Sequence, residues 1–165
     1  MPTELIKRVD WDLVYPPFTE RCFSLAARCR DKGTPYFAIS GYRSYPEQAK
    51  LYFQGRTTPG KIVTNARPGE SAHNFGIAVD WCRDGDVNRA GLQPKWALID
   101  YKPLAEAAFE LGLEAAYFWR TFKEGPHVQL DLKAKGITFK DLRLEHDLGG
   151  VPAVWAYLDL HGPWF

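Results

Sequence analysis

The sequence has few cysteines, almost no net charge and no long apolar run, and each shortage excludes a class of protein. Its 165 residues include three cysteines, an odd number that argues against a disulfide framework. The 21 basic side chains nearly balance the 20 acidic ones, so we expect no bulk nucleic-acid binding. No apolar stretch reaches the length of a membrane span, and we expect no stable membrane insertion.

The first eight residues show none of the features of a signal peptide. They carry charged side chains at Glu4, Lys7 and Arg8, and they lack both an apolar core and a cleavage site. We therefore expect the chain to be made in the cytoplasm without a leader. A substrate outside the cell would then require that another agent release the protein.

The composition that is present predicts one globular α+β domain. Hydrophobic residues make up 45% of the chain and aromatic residues 15%, and a chain of this length buries roughly 70% of its unfolded surface. Capping residues and hydrophobic periodicity predict helices over residues 19–32, 46–53 and 101–111, and strands over 35–40, 76–82 and 127–130. Such a mixture favours a compact domain in which a small antiparallel sheet, flanked by helices, carries the functional site.

The three cysteines are expected to be buried rather than bonded to each other. Cys22 and Cys29 are seven positions apart, which places both on the buried face of the first predicted helix. Cys82 shares a strand face with Asp80 if that strand extends so far. A small buried side chain is the expectation for Cys82, with a thiolate metal ligand as the alternative.

Residues 70–81 hold the most informative pattern in the sequence. From Gly76 onward bulky and small residues alternate, which predicts a strand with Asp80 on its small-residue face. His73 precedes Asp80 by seven positions, and a bend at residues 74–76 would bring its side chain to the same side. An imidazole and a carboxylate beside small side chains favour a divalent metal.

A third metal ligand is available after a predicted Gly-Pro turn at residues 125–126. The alternation that follows predicts a second strand with His127 and Gln129 on one face. Two histidines and one aspartate would leave one tetrahedral position of Zn²⁺ for water, as in catalytic zinc sites. Glu124, just before the turn, is placed to act on that water without being a ligand. The alternative is that the two histidines are unrelated and satisfied by ordinary hydrogen bonds.

Four short segments of the sequence occur in a characteristic order. They are Ser40-Gly-Tyr-Arg43-Ser44 with Gln48 following, residues 60–66, Ser71-x-His73-x-x-Gly76-x-Ala78-x-Asp80, and Trp119-x-x-Phe122-x-Glu124-x-Pro126-His127. This series resembles the M15 family of zinc peptidases, which contains D-alanyl-D-alanine carboxypeptidases and the L-alanyl-D-glutamate endopeptidases of phage endolysins. The resemblance covers residues from about 18 to 130, and the sequence between residues 60 and 80 is most similar to the endolysin branch.

The resemblance implies the hedgehog/D-Ala-D-Ala peptidase-like fold and one Zn²⁺ per chain, bound by His73, Asp80 and His127. It also implies that Glu124 takes a proton from water and later passes one to the leaving amine. Arg43 faces the site in the related peptidases. A fixed guanidinium there can stabilise negative charge on the carbonyl oxygen, or it can hold a substrate carboxylate.

The implied substrate is the stem peptide of bacterial peptidoglycan, cut at the L-Ala–D-Glu bond. Ser71, Gln48 and Trp119 are expected to contact this substrate. A D-alanyl-D-alanine carboxypeptidase is the alternative within the family. From other classes, a non-catalytic zinc-stabilised wall-binding module would not need Glu124, and a structural phage component carrying a wall-degrading domain stays open. We expect a monomer that reaches the cell wall by holin-type export or lysis.

Three residues depart from the endolysin pattern, and the C-terminal tail lies outside it. Residues 116–117 are Ala-Tyr where many relatives have Gly-Gly, and Glu124 stands where the endopeptidase branch often has Asp. We divide the chain into a catalytic domain of residues 1–132 and a tail of residues 133–165. About thirty residues are too few for an independent wall-binding domain, so we expect the tail to pack on the catalytic domain. An aromatic surface for sugar, membrane or a second subunit is the alternative.

Overall fold

A five-stranded antiparallel sheet organises the protein, whose structure is a computed structural model that describes residues 9–165. The first eight residues, whose sequence lacks the features of a signal peptide, lie outside the described residues. The strands are β1 (Tyr36–Ser40), β2 (Ala78–Asp84), β3 (Pro94–Lys95), β4 (Leu113–Ala115) and β5 (His127–Leu130). Their order is β1-β2-β5-β4, and β3 pairs with the end of β2. The predicted α+β architecture is confirmed.

In residues 9–165 four helices flank the sheet; the sequence predicted the first three, with partly different ends, and did not predict the fourth. They are α1 (Pro16–Asp31), α2 (Tyr45–Phe53), α3 (Lys102–Glu110) and α4 (Phe139–Leu160). Short 3₁₀ turns lie at Trp11–Leu13, Ala72–Phe75, Leu98–Tyr101, Ala116–Phe118 and Lys133–Lys135.

Helix α1 begins three residues before the predicted start at Thr19. Pro16 and Pro17 occupy its first positions, where the backbone N–H has no partner within the helix and its absence therefore costs nothing. Thr19 lies within the first turn, and its hydroxyl donates to the Val14 carbonyl at 3.3 Å instead of capping. Cys22 and Cys29 are buried in the core, as predicted.

The N-termini of α2 and α3 show one success and one failure of helix-capping rules. Helix α2 begins with a capping box, in which Ser44 and Glu47 satisfy each other's backbone N–H groups. Asp100 directly precedes the helix predicted over residues 101–111, and capping rules predict that it caps this helix. That prediction is wrong, because Asp100 lies in the preceding 3₁₀ turn and its carboxylate faces Arg83 at 3.6 Å.

The C-terminal helix α4 shares the hydrophobic core of the rest of the protein. A capping box at Thr138 starts it, and non-helical dihedral angles at Gly149 and Gly150 kink it. Its fully enclosed apolar side chains are Leu142, Val154 and Leu158. Within residues 9–165, no helix combines the length and apolar character that crossing a bilayer requires.

Candidate metal centre and cleft

The pairing of β2 with β5 places Asp80 directly opposite His127. Opposed residues in antiparallel strands project to the same face of a sheet, so the carboxylate and the imidazole meet there. The next pair on this face is Ala78 with Gln129, and the small alanine leaves space beside the two polar side chains.

His73 reaches the same face from the 3₁₀ turn Ala72–Phe75, as the predicted bend requires. Gly76 ends this turn in the left-handed conformation, with φ at 69°, and its N–H lies 3.3 Å from the His73 carbonyl. A Cβ at position 76 would clash with the Leu13 carbonyl oxygen. Only glycine suits both the dihedral angle and this close approach.

The three predicted ligands converge on one point. His73 Nε2 and His127 Nδ1 each lie 3.2 Å from Asp80 Oδ1. The candidate ligand atoms of the three side chains all lie within 4.8 Å of one another. Among residues 9–165, this is the one group of three or more such side chains with metal-binding spacing, and Cys82 is not part of it.

In each imidazole, one ring nitrogen faces Asp80 and the other, called the outer nitrogen, faces away from it. Each outer nitrogen lies within hydrogen-bond distance of an oxygen acceptor. His73 Nδ1 lies 2.7 Å from the Gly41 carbonyl oxygen, and His127 Nε2 lies 2.8 Å from Gln129 Oε1. If each outer nitrogen donates, each inner nitrogen presents a lone pair toward Asp80. Two lone pairs and a carboxylate oxygen repel one another unless a cation lies between them. The donor set and its proton arrangement therefore fit a divalent metal such as zinc.

The electrostatics of the site agree with this need for positive charge. Burial opposes ionisation of Asp80, but the neighbouring imidazoles hold the pKa of its carboxyl well below the ordinary value. Burial likewise disfavours the charged form of His127, but its hydrogen bond to Asp80 and the Asp80 charge raise its pKa overall. A metal would replace that proton as the source of charge.

Arg43 lies beside the cluster and is held by several contacts. Its backbone N–H donates to the His73 carbonyl at 3.0 Å, and its guanidinium lies 3.8 Å from Asp80 Oδ2. The guanidinium also donates to Gln48 Oε1 at 3.0 Å and contacts Ser40 Oγ at 3.5 Å.

The placement of Gln48 contradicts its predicted contact with substrate. Its side chain is fully enclosed, and its amide accepts from Arg43 and donates to the Ala66 carbonyl at 2.8 Å. Gln48 therefore lies behind Arg43 and orients it. Sequence reasoning assigned it wrongly because a motif shows proximity to a site and not the direction of a side chain.

A cleft of about 900 Å³ opens onto the three ligands, and the remaining predicted site residues line it: Arg43, Ser71, Trp119 and Glu124. The Trp119 ring centroid lies 5.4 Å from that of His127. Glu124 is half-buried, and burial raises the pKa of its carboxyl above the ordinary value. A carboxylate with a raised pKa facing a metal site is suited to proton transfer.

Sequence reasoning missed several residues of the cleft. Glu114 and Lys133 line it, as do the exposed aromatic side chains of Phe118 and Phe122. Phe122 has a φ of 53°, an unusual conformation for a non-glycine residue. The strand pattern placed Gln129 beside His127 without assigning it a role, and nothing local marked Glu114.

Comparison with known proteins gives concordant results. Residues 13–126 match the family described as VanY, D-alanyl-D-alanine carboxypeptidase. The peptidoglycan L-alanyl-D-glutamate endopeptidase CwlK of Bacillus subtilis is 35% identical over 128 residues, which cover 71% of this chain and 73% of CwlK.

Solved structures show the same fold. The L-Ala D-Glu endopeptidase ChiX of Serratia marcescens has a TM-score of 0.53 at 25% identity, over 80% of this chain and 86% of ChiX. DacB of Streptococcus pneumoniae D39 has a TM-score of 0.51 at 25% identity, over 86% of this chain and 82% of DacB.

Proposed function

The chain belongs to the VanY family of D-alanyl-D-alanine carboxypeptidases, and from that premise we propose that it is a zinc peptidase that cleaves the stem peptide of bacterial peptidoglycan. The family match confirms the resemblance drawn from the four sequence segments. The observation that carries the proposal is the convergence of His73, Asp80 and His127 at the floor of a cleft, with both imidazoles tied at their outer nitrogens.

The bond we propose is the one between L-Ala and D-Glu. CwlK and ChiX, the relatives at 35% and 25% identity, are both described as endopeptidases for that bond. Cleavage at D-Ala–D-Ala is the second candidate, and the description of the family favours it. The two reactions differ in one requirement, since a carboxypeptidase must recognise a C-terminal carboxylate and an endopeptidase must leave both ends of the cleft open.

His73, Asp80 and His127 would hold one zinc ion. When bound, zinc supplies Lewis acidity, which lowers the pKa of a coordinated water toward ~7 and polarises a carbonyl group. The residues of this chain that surround the ligands have separate tasks.

Glu124 would move the proton. Its carboxylate lines the cleft, and burial favours its protonated form more than in water, so it can both take a proton from an attacking water and release it. The acceptor is the nitrogen of the leaving amine, which must be protonated before the C–N bond breaks. General acid–base transfer of this kind contributes roughly 10²–10⁴-fold to rate.

Arg43 would stabilise charge on the substrate. Its guanidinium lines the cleft beside Asp80 and is oriented by Gln48 and Ser40, so it changes position little when negative charge develops on the carbonyl oxygen. In a carboxypeptidase the same group would hold the terminal carboxylate. Ser71 and Trp119, on the walls of the cleft, would contact the peptide.

The remaining sequence expectations belong to the same proposal. The enzyme would be an endolysin-type monomer, made in a phage-infected host and released to the wall by holin-type export or lysis. The similarity of residues 60–80 to the endolysin branch supports the endolysin assignment. Detection of the protein in virions instead of lysates would contradict that assignment. We propose that residues 1–132 form the catalytic domain and that residues 133–165 form a tail that packs on it.

Mass spectrometry of purified peptidoglycan after digestion tests the proposal. The zinc-loaded protein should release peptides with a new N-terminal D-Glu, whereas release of free D-Ala would assign it to the carboxypeptidases. Glu124→Gln keeps the size of the side chain but removes the base, and we expect a loss of 10²-fold or more with zinc retained. Glu70→Gln, another carboxylate that lines the cleft, is the matched control and should stay active.

Absence of any product from folded, zinc-loaded protein would overturn the enzyme proposal. An active Glu124→Gln variant would leave the peptidase proposal standing but remove Glu124 from its assigned role. A binding module would behave differently from both, because it would retain peptidoglycan and be indifferent to the substitution.

A further inference from the structure

We propose that Glu114 is a positioning residue of the metal site and acts on His127 through Gln129. The proposal rests on the proposed zinc site and assigns a role to two residues outside the ligand set. It concerns the half of the site built on strands β4 and β5, where Glu114 is the register partner of Gln129.

Two hydrogen bonds form the connection. Gln129 Nε2 donates to Glu114 Oε2 at 2.8 Å, and Gln129 Oε1 lies 2.8 Å from His127 Nε2. A carboxylate only accepts hydrogen bonds, so Glu114 requires the amide nitrogen of Gln129 to face it. The amide oxygen must then face the imidazole, and His127 Nε2 must carry the proton. The lone pair that a metal needs is thereby fixed on His127 Nδ1, the nitrogen that faces Asp80.

The surroundings of Glu114 hold its carboxylate in one orientation. Its side chain is 14% exposed, and its Oε1 accepts from Lys133 Nζ at 2.7 Å and from Trp119 Nε1 at 2.9 Å. Three donors thus meet one carboxylate, which satisfies most of its acceptor capacity despite the burial. A neutral side chain of the same shape has one acceptor oxygen and could not serve all three.

The bond to Trp119 extends the role of Glu114 to the substrate cleft. The Trp119 ring lies beside the His127 ring and forms a wall of the cleft. One carboxylate therefore fixes both a metal ligand and a surface against which the peptide would bind. A mere surface ion pair with Lys133 would do neither, since Lys133 is 79% exposed and such pairs contribute little.

Zinc affinity, measured by competition with a chromogenic chelator, tests the proposal. Loss of an outer partner of a ligating histidine typically weakens metal binding 10–100-fold, and we expect this for both Glu114→Ala and Gln129→Met. Glu114 and Gln129 act in series on His127. The zinc affinity of the double variant should therefore be no lower than that of whichever single variant has the lower affinity. Glu114→Gln, which keeps the shape, should fall between wild type and Glu114→Ala.

Glu110→Ala is the matched control. Glu110 also accepts from a cation, Arg28 at 2.6 Å, but it lies on α3 away from the metal site. Its loss should leave zinc affinity unchanged. Circular dichroism of each variant separates a local effect from a failure to fold, and Glu114→Gln keeps the test informative if Glu114→Ala does not fold.

Nuclear magnetic resonance gives a readout that general destabilisation would not produce. In the zinc-loaded wild type, the proton on His127 Nε2 should appear as a slowly exchanging downfield signal. In Glu114→Ala and Gln129→Met this signal should broaden or disappear, while that of His73 Nδ1, which donates to Gly41, should persist.

Zinc affinity equal to wild type in both single variants, or losses that simply add in the double variant, would overturn the role of Glu114. This outcome differs from failure of the proposed function. A wild-type protein that binds zinc but cleaves no peptidoglycan would refute the peptidase proposal, while the comparison of zinc affinities would still test Glu114.

Discussion

The two histidines of the candidate metal centre are positioned by different kinds of structure. His127 lies on β5, in the interior of the sheet between β2 and β4, and its outer nitrogen bonds a side chain two residues further along the same strand. His73 lies on a single 3₁₀ turn, and its outer nitrogen bonds the carbonyl of Gly41, 32 residues earlier.

The turn that carries His73 depends on contacts with distant parts of the chain. Trp155 Nε1 donates to the Phe75 carbonyl at 2.9 Å across 80 residues, and the Tyr15 N–H donates to the Gly76 carbonyl at 2.8 Å. The Phe139 ring stacks on Phe75, with centroids 6.2 Å apart. β-Sheet hydrogen bonding therefore holds the His127 half of the site, whereas long-range contacts hold the His73 half, and part of these come from helix α4, which lies beyond the family-matched residues 13–126.

Metal removal should have the largest effect, and it should affect the His73 turn more than strand β5. Zinc at 100–1,000 times its dissociation constant stabilises the folded state by about 3–4 kcal/mol, which chelation should remove. Hydrogen exchange measured by mass spectrometry should then show faster exchange in residues 72–77 than in β5. The turn has few backbone bonds of its own, while the β5 amides belong to a sheet. Equal loss of protection in both segments would remove the distinction.

Gly76→Ala should give the next largest effect, because it disrupts the turn that carries His73 and leaves strand β5 intact. The positive φ alone costs on the order of 1–3 kcal/mol for a non-glycine residue, and the added Cβ would also meet the Leu13 carbonyl oxygen. We expect a loss of unfolding free energy above that range, with weakened zinc binding, in urea and chelator titrations.

Gly136→Ala is the matched control for this substitution. Gly136 has nearly the same φ, 67°, and nothing within 4 Å of an added Cβ, so it isolates the dihedral cost from the clash. If both variants lose the same free energy, the close approach at Gly76 contributes nothing.

Trp155→Phe should give the smallest effect and tests the contribution of α4. An aromatic ring smaller than the indole remains while the hydrogen bond to Phe75 is lost, which should cost at least about 1 kcal/mol of unfolding free energy. Because this bond holds the turn of His73, we also expect zinc affinity to fall several-fold.

The matched control is Trp164→Phe. Trp164 Nε1 donates to the Leu158 carbonyl at 3.0 Å, a bond of the same kind that does not reach the metal turn. This variant should lose similar stability and keep its zinc affinity. Parallel losses of zinc affinity in both variants would show that α4 acts only through global stability.

The outcome of sequence reasoning differs between the two halves in the same way. The alternation around residue 127 predicted strand β5 and the shared face of His127 and Gln129, because a strand's period of two is a local property. The bend that brings His73 round to Asp80 was predicted as well, since Gly76 marks it. The contacts that hold that turn come from α4 and from residues near Tyr15 and Gly41, and they were not predictable from the sequence around the turn.

The sequence by itself determined the composition of the site and the backbone types that carry it. Glycine, capping and alternation rules are local, so the candidate ligands His73, Asp80 and His127 followed from them. So did the approximate positions of α1, α2, α3, β1, β2 and β5, whereas β3, β4 and α4 did not follow. Tertiary structure decided which groups orient those ligands. Gln48 lies behind Arg43, Glu114 is brought to Gln129 by the register of β4 on β5, and α4 packs on the His73 turn. Register and helix packing depend on burial summed over the whole core, which no short segment of sequence contains.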